Sequence, residues 1–207
     1  YGDWSSDVCS SDLYNYSAPG IQALADTIRV YNTCTDLILF MTWGRRYGGQ
    51  QCISGYCSPV FIDFNHMQDS LSSAYLEFAF DNFAKCAPVG IAWKNALRDT
   101  SVVLHSSDNS HPALTGSYLS ACVMYDMIWK EPSTGATYAA GLTQSQAADF
   151  QQIADSTVFN SSNDWGLHID EPAASFCFSV SGNGVALDNL SVCIDRKSTR
   201  LNSSHRT

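Results

Sequence analysis

The chain has 207 residues, 45% of them hydrophobic and 15% charged, with a formal net charge of -9 at pH 7. An acidic chain without basic clusters argues against nucleic acid or an anionic membrane as partner. No apolar run approaches the roughly 18 residues that a membrane span needs, and the length suits one domain with a sizeable core plus part of another.

The two ends read unlike the rest. DWSSDVCSSDL (Asp3 to Leu13) and DRKSTRLNSS (Asp195 to Ser204) can be encoded by one nucleotide string and its reverse complement, and that string resembles a short-read sequencing adapter. Residues 1–13 and 195–207 are therefore set aside as tags and fusion scars are. Four acidic and four basic residues lie in them, so Tyr14 to Ile194 keep the charge of -9.

From there the elements follow in order. Ser17 and Pro19 make a helix entry, and Ile21, Leu24, Ile28 and Val30 or Tyr31 form a stripe of 3.6-residue period predicted to face the core. DLILFMT (Asp36 to Thr42) is a continuous apolar run of strand length, expected to be buried on both faces as a parallel strand. Residues 43–64 read as a Gly-rich loop carrying Cys52 and Cys57. Their spacing is not the C-x-x-C of a zinc knuckle and no second pair completes four ligands, so a local disulfide is the better reading, with zinc the weaker alternative. A helix is predicted from Met67 to Lys85, with Leu71, Tyr75, Phe78 and Phe83 on its core face. Cys86 to Gly90 reads as a short strand, followed by a helix through Trp93 and Leu97. Val102 to His105 lead into a turn at Asp108, and a helix runs from Ala113 to Trp129. Thr143 and Gln146 form a capping-box pattern opening a last helix to Val158. Strands alternating with helices imply an α/β fold with a parallel sheet covered on both faces.

Residues 160–173 are polar and read as a linker. Residues 174–194 alternate about Gly182-Asn183-Gly184, a β-hairpin signature across which Cys177 and Cys193 are candidates to face each other. Seven cysteines outside the ends favour an oxidising compartment, secreted or periplasmic. Cys34 stands before the first strand and Cys86 opens the next, which would put both at one end of neighbouring parallel strands and within reach of a bridge. Cys122 is expected as a free thiol on the buried face of its helix.

The chemistry concentrates at Asp108-Asn109-Ser110-His111-Pro112. An Asp three residues before a His, on a turn at a helix start, lets the carboxylate hold one imidazole nitrogen while the other serves as general base. Asp63-Phe64-Asn65-His66 has the same spacing, so spacing alone does not choose between His66 and His111. The surroundings do: DNSHPALTGSYLSACVMY resembles the last sequence block of the SGNH (GDSL-type) ester hydrolases, with Ser107, Gly116, Ser117, Tyr118, Leu119, Ala121 and Cys122 fitting it. LFMTWGRRYGG (Leu39 to Gly49), MQDSLSSAY (Met67 to Tyr75) and APVGIAW (Ala87 to Trp93) extend the resemblance over residues 14–159, to secreted bacterial members in particular.

That resemblance implies a three-layer, flavodoxin-like α/β/α sheet of which this chain holds the C-terminal part. It also implies a Ser-His-Asp triad with His111 as base and Asp108 as its orienting acid, no metal or organic cofactor, and a small-molecule or carbohydrate ester as substrate. The family's Gly-Asp-Ser and Gly-x-Asn-Asp motifs are absent, so nucleophile and oxyanion hole are expected to be missing and the chain inactive. Ser70 and Ser110 do not sit on a strand-to-helix elbow that would expose a nucleophile. Trp43, Gly44 and Arg45 follow the C-terminal end of a strand, where open α/β sheets place ligands. They read as a pocket wall or, alternatively, as a loop whose Trp packs on the core and whose Arg pairs with a surface carboxylate. The C-terminal hairpin resembles the opening of an Ig-like or PKD-type module. The alternative function is a non-catalytic surface or carbohydrate-binding protein that keeps the fold.

Overall fold

A computed structural model describes residues 11–32, 35–53 and 56–167. The chain order is α1 (Ser11–Tyr31), β1 (Ile38–Phe40), β2 (Cys52–Ile53), β3 (Tyr56–Cys57), α2 (Phe64–Asp81), β4 (Lys85–Ala87), α3 (Val89–Ala96), α4 (Leu114–Trp129) and α5 (Gln144–Phe159). The architecture is mixed α/β. Strands β1 and β4 run parallel with Leu39 opposite Cys86, and β2 and β3 form a small antiparallel hairpin inside the expected loop. Its Cys52 and Cys57 stand opposite each other and are joined by the expected disulfide.

The core lies between the parallel pair and α3, α4 and α5. Trp93, Met41, Leu104, Leu119, Val123, Met127, Val158 and Leu167 are fully enclosed there. Leu119, Val123 and Met127 recur at steps of four on α4, which aligns them on one face. Close approach to that face requires Gly116, since a Cβ there would lie 2.5 Å from the Leu104 carbonyl and from the Trp93 ring. Helix α5 opens with the predicted capping box, in which Thr143 and Gln146 each satisfy the other's backbone N–H.

Several expectations need correction. Strand β1 is three residues long and half-buried, because among the described residues its only strand partner is β4. The stripe predicted for α1 does not reach the core: Leu24 is 67% and Val30 81% exposed, and Ala25 alone among Ile21 to Val30 is buried. Helix α2 ends at Asp81 rather than Lys85, its last turn closed by the buried Asn82, whose amide donates to the Phe78 carbonyl at 2.8 Å. Phe83 then takes a positive φ of 47° and turns outward instead of joining the core. The strand expected to reach Gly90 stops at Ala87, because Pro88 has no N–H to give a ladder and instead precedes α3.

The expected Cys34–Cys86 bridge does not form. Cys86 is a free thiol enclosed in the core, and its register partner is Leu39, five residues beyond Cys34. Cys34 itself lies outside the described residues, as do Cys177, Cys193 and the hairpin expected at 174–194. Cys122 is free and buried, as its helical position predicted. The expected linker boundary at residue 160 falls within packed structure: Trp165 and Leu167 are core residues, and the Trp165 carbonyl accepts from Cys86 N–H at 3.0 Å. The apolar area of these two side chains outweighs the polar composition around them.

Candidate functional site

The segment from Leu104 to Ala113 folds back on itself. His105 bridges to Pro112 in antiparallel fashion, Ser106 N–H donates to the His111 carbonyl at 2.8 Å, and Ala113 N–H donates to the Leu104 carbonyl at 2.7 Å. Asn109 makes the reversal with φ of 62°, a left-handed conformation that Asn tolerates better than most residues. Inside this turn, Asp108 Oδ1 accepts from Ser106 Oγ at 2.7 Å and from the backbone N–H groups of Ser110 and His111, both at 2.9 Å. Its other oxygen, Oδ2, lies 2.6 Å from His111 Nδ1. The Ser110 amide, the Ser106 hydroxyl and the His111 ring and amide hold the Asp108 carboxyl well below the usual carboxylate range. An anionic Asp108 therefore accepts a hydrogen bond from His111 Nδ1–H, which leaves Nε2 as the basic nitrogen and keeps the half-exposed imidazole oriented.

The second Asp-x-x-His is built differently. Asp63 is the N-cap of α2, and its carboxylate accepts from the backbone N–H of His66 at 2.8 Å. His66 Nδ1 instead faces the Ile62 N–H at 3.3 Å, so the acid caps a helix rather than orienting a ring. Identical spacing thus yields a capping motif in one place and a carboxylate–imidazole pair in the other.

The residues after β1 are fastened to this turn. Trp43 Nε1 donates to the Ser110 carbonyl at 2.9 Å, and Arg46 N–H donates to the Asn109 carbonyl at 2.9 Å. The Trp43 ring stacks on Trp93 at 4.2 Å with an interplanar angle of 5°, so it packs on the core and touches the turn at once. Gly44 is buried; its N–H donates to Gln68 Oε1 at 2.8 Å and its carbonyl meets His105 Nε2 at 2.8 Å. Arg45 bonds the amide oxygen of Gln51, and not only a carboxylate suits a guanidinium in this role. Of the three predicted pocket residues, Trp43 bonds directly to the Asp108–His111 turn.

Gln68 and His105 also shape the site, without a signal in the sequence that marks them. Gln68 is fully buried and ties Gly44 N–H to the Thr42 carbonyl, to which its Nε2 donates at 3.3 Å. His105 is buried edge-on to Trp93 and Phe64, and burial pushes its pKa down, so it is a neutral donor to Gly44. Neither has a sequence signature, since a Gln inside an amphipathic helix and a His at a strand end are both common on surfaces.

Ser70 lies within α2, and Ser110 stands in the turn itself with its amide bound to Asp108. Neither position is a strand-to-helix elbow. Cys52 and Cys57 are bonded to one another, which removes their thiolates as metal ligands. Comparison with protein-family models, curated proteins and solved structures found no match to this chain.

Proposed function

We propose that this chain is the C-terminal part of a serine ester hydrolase of the SGNH type, with His111 as general base and Asp108 as its orienting acid. The observation that carries the reading is the 2.6 Å contact between His111 Nδ1 and an Asp108 carboxylate fixed by three further donors, on a turn bonded to the loop after a parallel strand. In the whole enzyme a Ser hydroxyl attacks the ester carbonyl, His111 Nε2 takes its proton and returns it to the leaving alcohol, and Asp108 offsets the imidazolium charge. Trp43 holds the turn in place through the Ser110 carbonyl. Among the described residues β1 has β4 as its one strand partner and Leu24, Ile28 and Val30 are exposed, which suits a fragment whose further strands and helices would cover them. The Cys52–Cys57 disulfide accords with an extracellular setting.

The test is hydrolysis of p-nitrophenyl acetate by this chain and by a longer protein carrying the reading frame upstream of Tyr14. The short chain is expected to be inactive. In the longer protein His111→Ala should lower kcat about 10² to 10⁴-fold, with His66→Ala near wild type. Loss of activity with His66→Ala alone would overturn the assignment, and an inactive longer protein that binds carbohydrate would favour the non-catalytic alternative.

A further inference from the structure

Outside the two terminal segments the chain has seven Lys and Arg residues, and three of them, Arg46, Lys94 and Arg98, line one cavity of about 330 Å³. Its only carboxylate is Asp99, whose Oδ1 already accepts from Ser101 N–H at 2.9 Å and Ser101 Oγ at 2.7 Å. Lys94 is paired outward with Asp69, while Arg46 and Arg98 are the exposed guanidinium groups of the rim. With Lys94 compensated by Asp69, two guanidinium groups face one engaged carboxylate, a local excess of positive charge in a chain of net charge -9. Phe64, Leu97, Val102, Val103 and Leu104 give the wall an apolar portion, and Asn65, Thr100 and His105 add uncharged polar groups.

We propose that this cavity binds a small organic carboxylate, its charge held by Arg46 and Arg98 and its hydrocarbon or ring face lying against Phe64 and Leu97. Arginine suits the role because its planar fork matches a carboxylate bidentately. The volume is that of a small-ligand site in which a few polar groups orient a mostly apolar ligand. Arg46 also connects the cavity to the Asp108 turn through its N–H bond to the Asn109 carbonyl, so a bound acid lies beside that turn. Trp43, Gly44 and Arg45 do not line it; the residue that follows them does. The inference does not require ester hydrolysis, and its test measures binding alone, so either reading can fail without the other.

The experiment titrates the full chain with phenylacetate and, separately, with the uncharged phenylacetamide, following backbone amide resonances. Saturable shifts at Val103, Leu104 and Arg98 are expected for the acid. Affinity should be on the order of tenfold lower for the amide, for Arg46→Gln/Arg98→Gln, and in high salt. Both arginines are exposed, so the double variant should keep its native spectrum elsewhere. Absence of saturable shifts, equal binding of acid and amide, or unchanged affinity in the double variant would each overturn the proposal.

Discussion

Replacing Asp126 by Asn should stabilise the protein, by an amount that depends on pH. Asp126 projects from α4 into the seam with α5, is 0% exposed, and has no hydrogen-bond partner for either carboxyl oxygen. Asp155 of α5 lies nearby as a like charge, its own carboxylate satisfied by Ser133 N–H at 2.8 Å, Ser133 Oγ at 2.9 Å and Thr134 N–H at 3.2 Å. Burial first, and then Asp155, push the Asp126 pKa up from 3.8 to about 8. The folded protein therefore holds this acid neutral at pH 7 while the unfolded chain ionises it. The stability is fully present below pH 4, declines as pH rises through the window between the two pKa values, and levels off above pH 8. At about 1.4 kcal/mol per pH unit the loss at pH 7 comes to about 4 kcal/mol. Asn keeps the shape without the charge, and its amide can donate toward Asp155. Urea midpoints measured from pH 4.5 to 9 should show Asp126→Asn more stable by roughly 2 to 4 kcal/mol at pH 7, a rise in Tm of roughly 5 to 15 °C for a chain of this size. The advantage should shrink toward zero near pH 4. A variant less stable than wild type at pH 7, or a difference that does not change with pH, would refute the reasoning.

Burial pushes the Cys86 thiol up to about 12 and the Cys122 thiol up to about 11, so neither should react with Ellman's reagent in the native protein at pH 8, and both should react in urea. A non-reducing peptide digest should return Cys52 linked to Cys57, with Cys86 unlinked. Gly90→Ala should cost about 1–3 kcal/mol or more, because its Cβ would lie 2.2 Å from both the Thr42 carbonyl and Gln68 Nε2; a variant with an unchanged urea midpoint would contradict that packing. Trp43→Phe keeps the stack on Trp93 but loses the bond to the Ser110 carbonyl, so it should cost about 1 kcal/mol and speed hydrogen exchange in the Asp108 turn.

Periodicity and local chemistry make much of this protein legible in its sequence. The capping box at Thr143, the helix through Val123 and the local Cys52–Cys57 disulfide are set by residues within a few positions of one another, so the sequence contains everything they depend on. The turn at Asp108 belongs to the same class, since the carboxylate, the imidazole and the reversing Asn109 lie within four residues. Which Asp-x-x-His becomes a side-chain pair was decided at longer range. Around Asp108 the chain folds back as His105 meets Pro112, whereas Asp63 opens a helix whose N-terminal N–H groups claim its carboxylate. The Cys34–Cys86 expectation failed for a related reason: strand order suggested proximity, but register put Leu39 opposite Cys86 and closed the core over the thiol. Gln68, His105 and the cavity bounded by Arg46, Lys94 and Arg98 draw on segments dozens of residues apart. Their polarity reads as surface in a linear chain, and only the packing of α2 and α3 against the loop after β1 turns it into a structured site, because burial and partnership are properties of that packing and not of the residues taken singly.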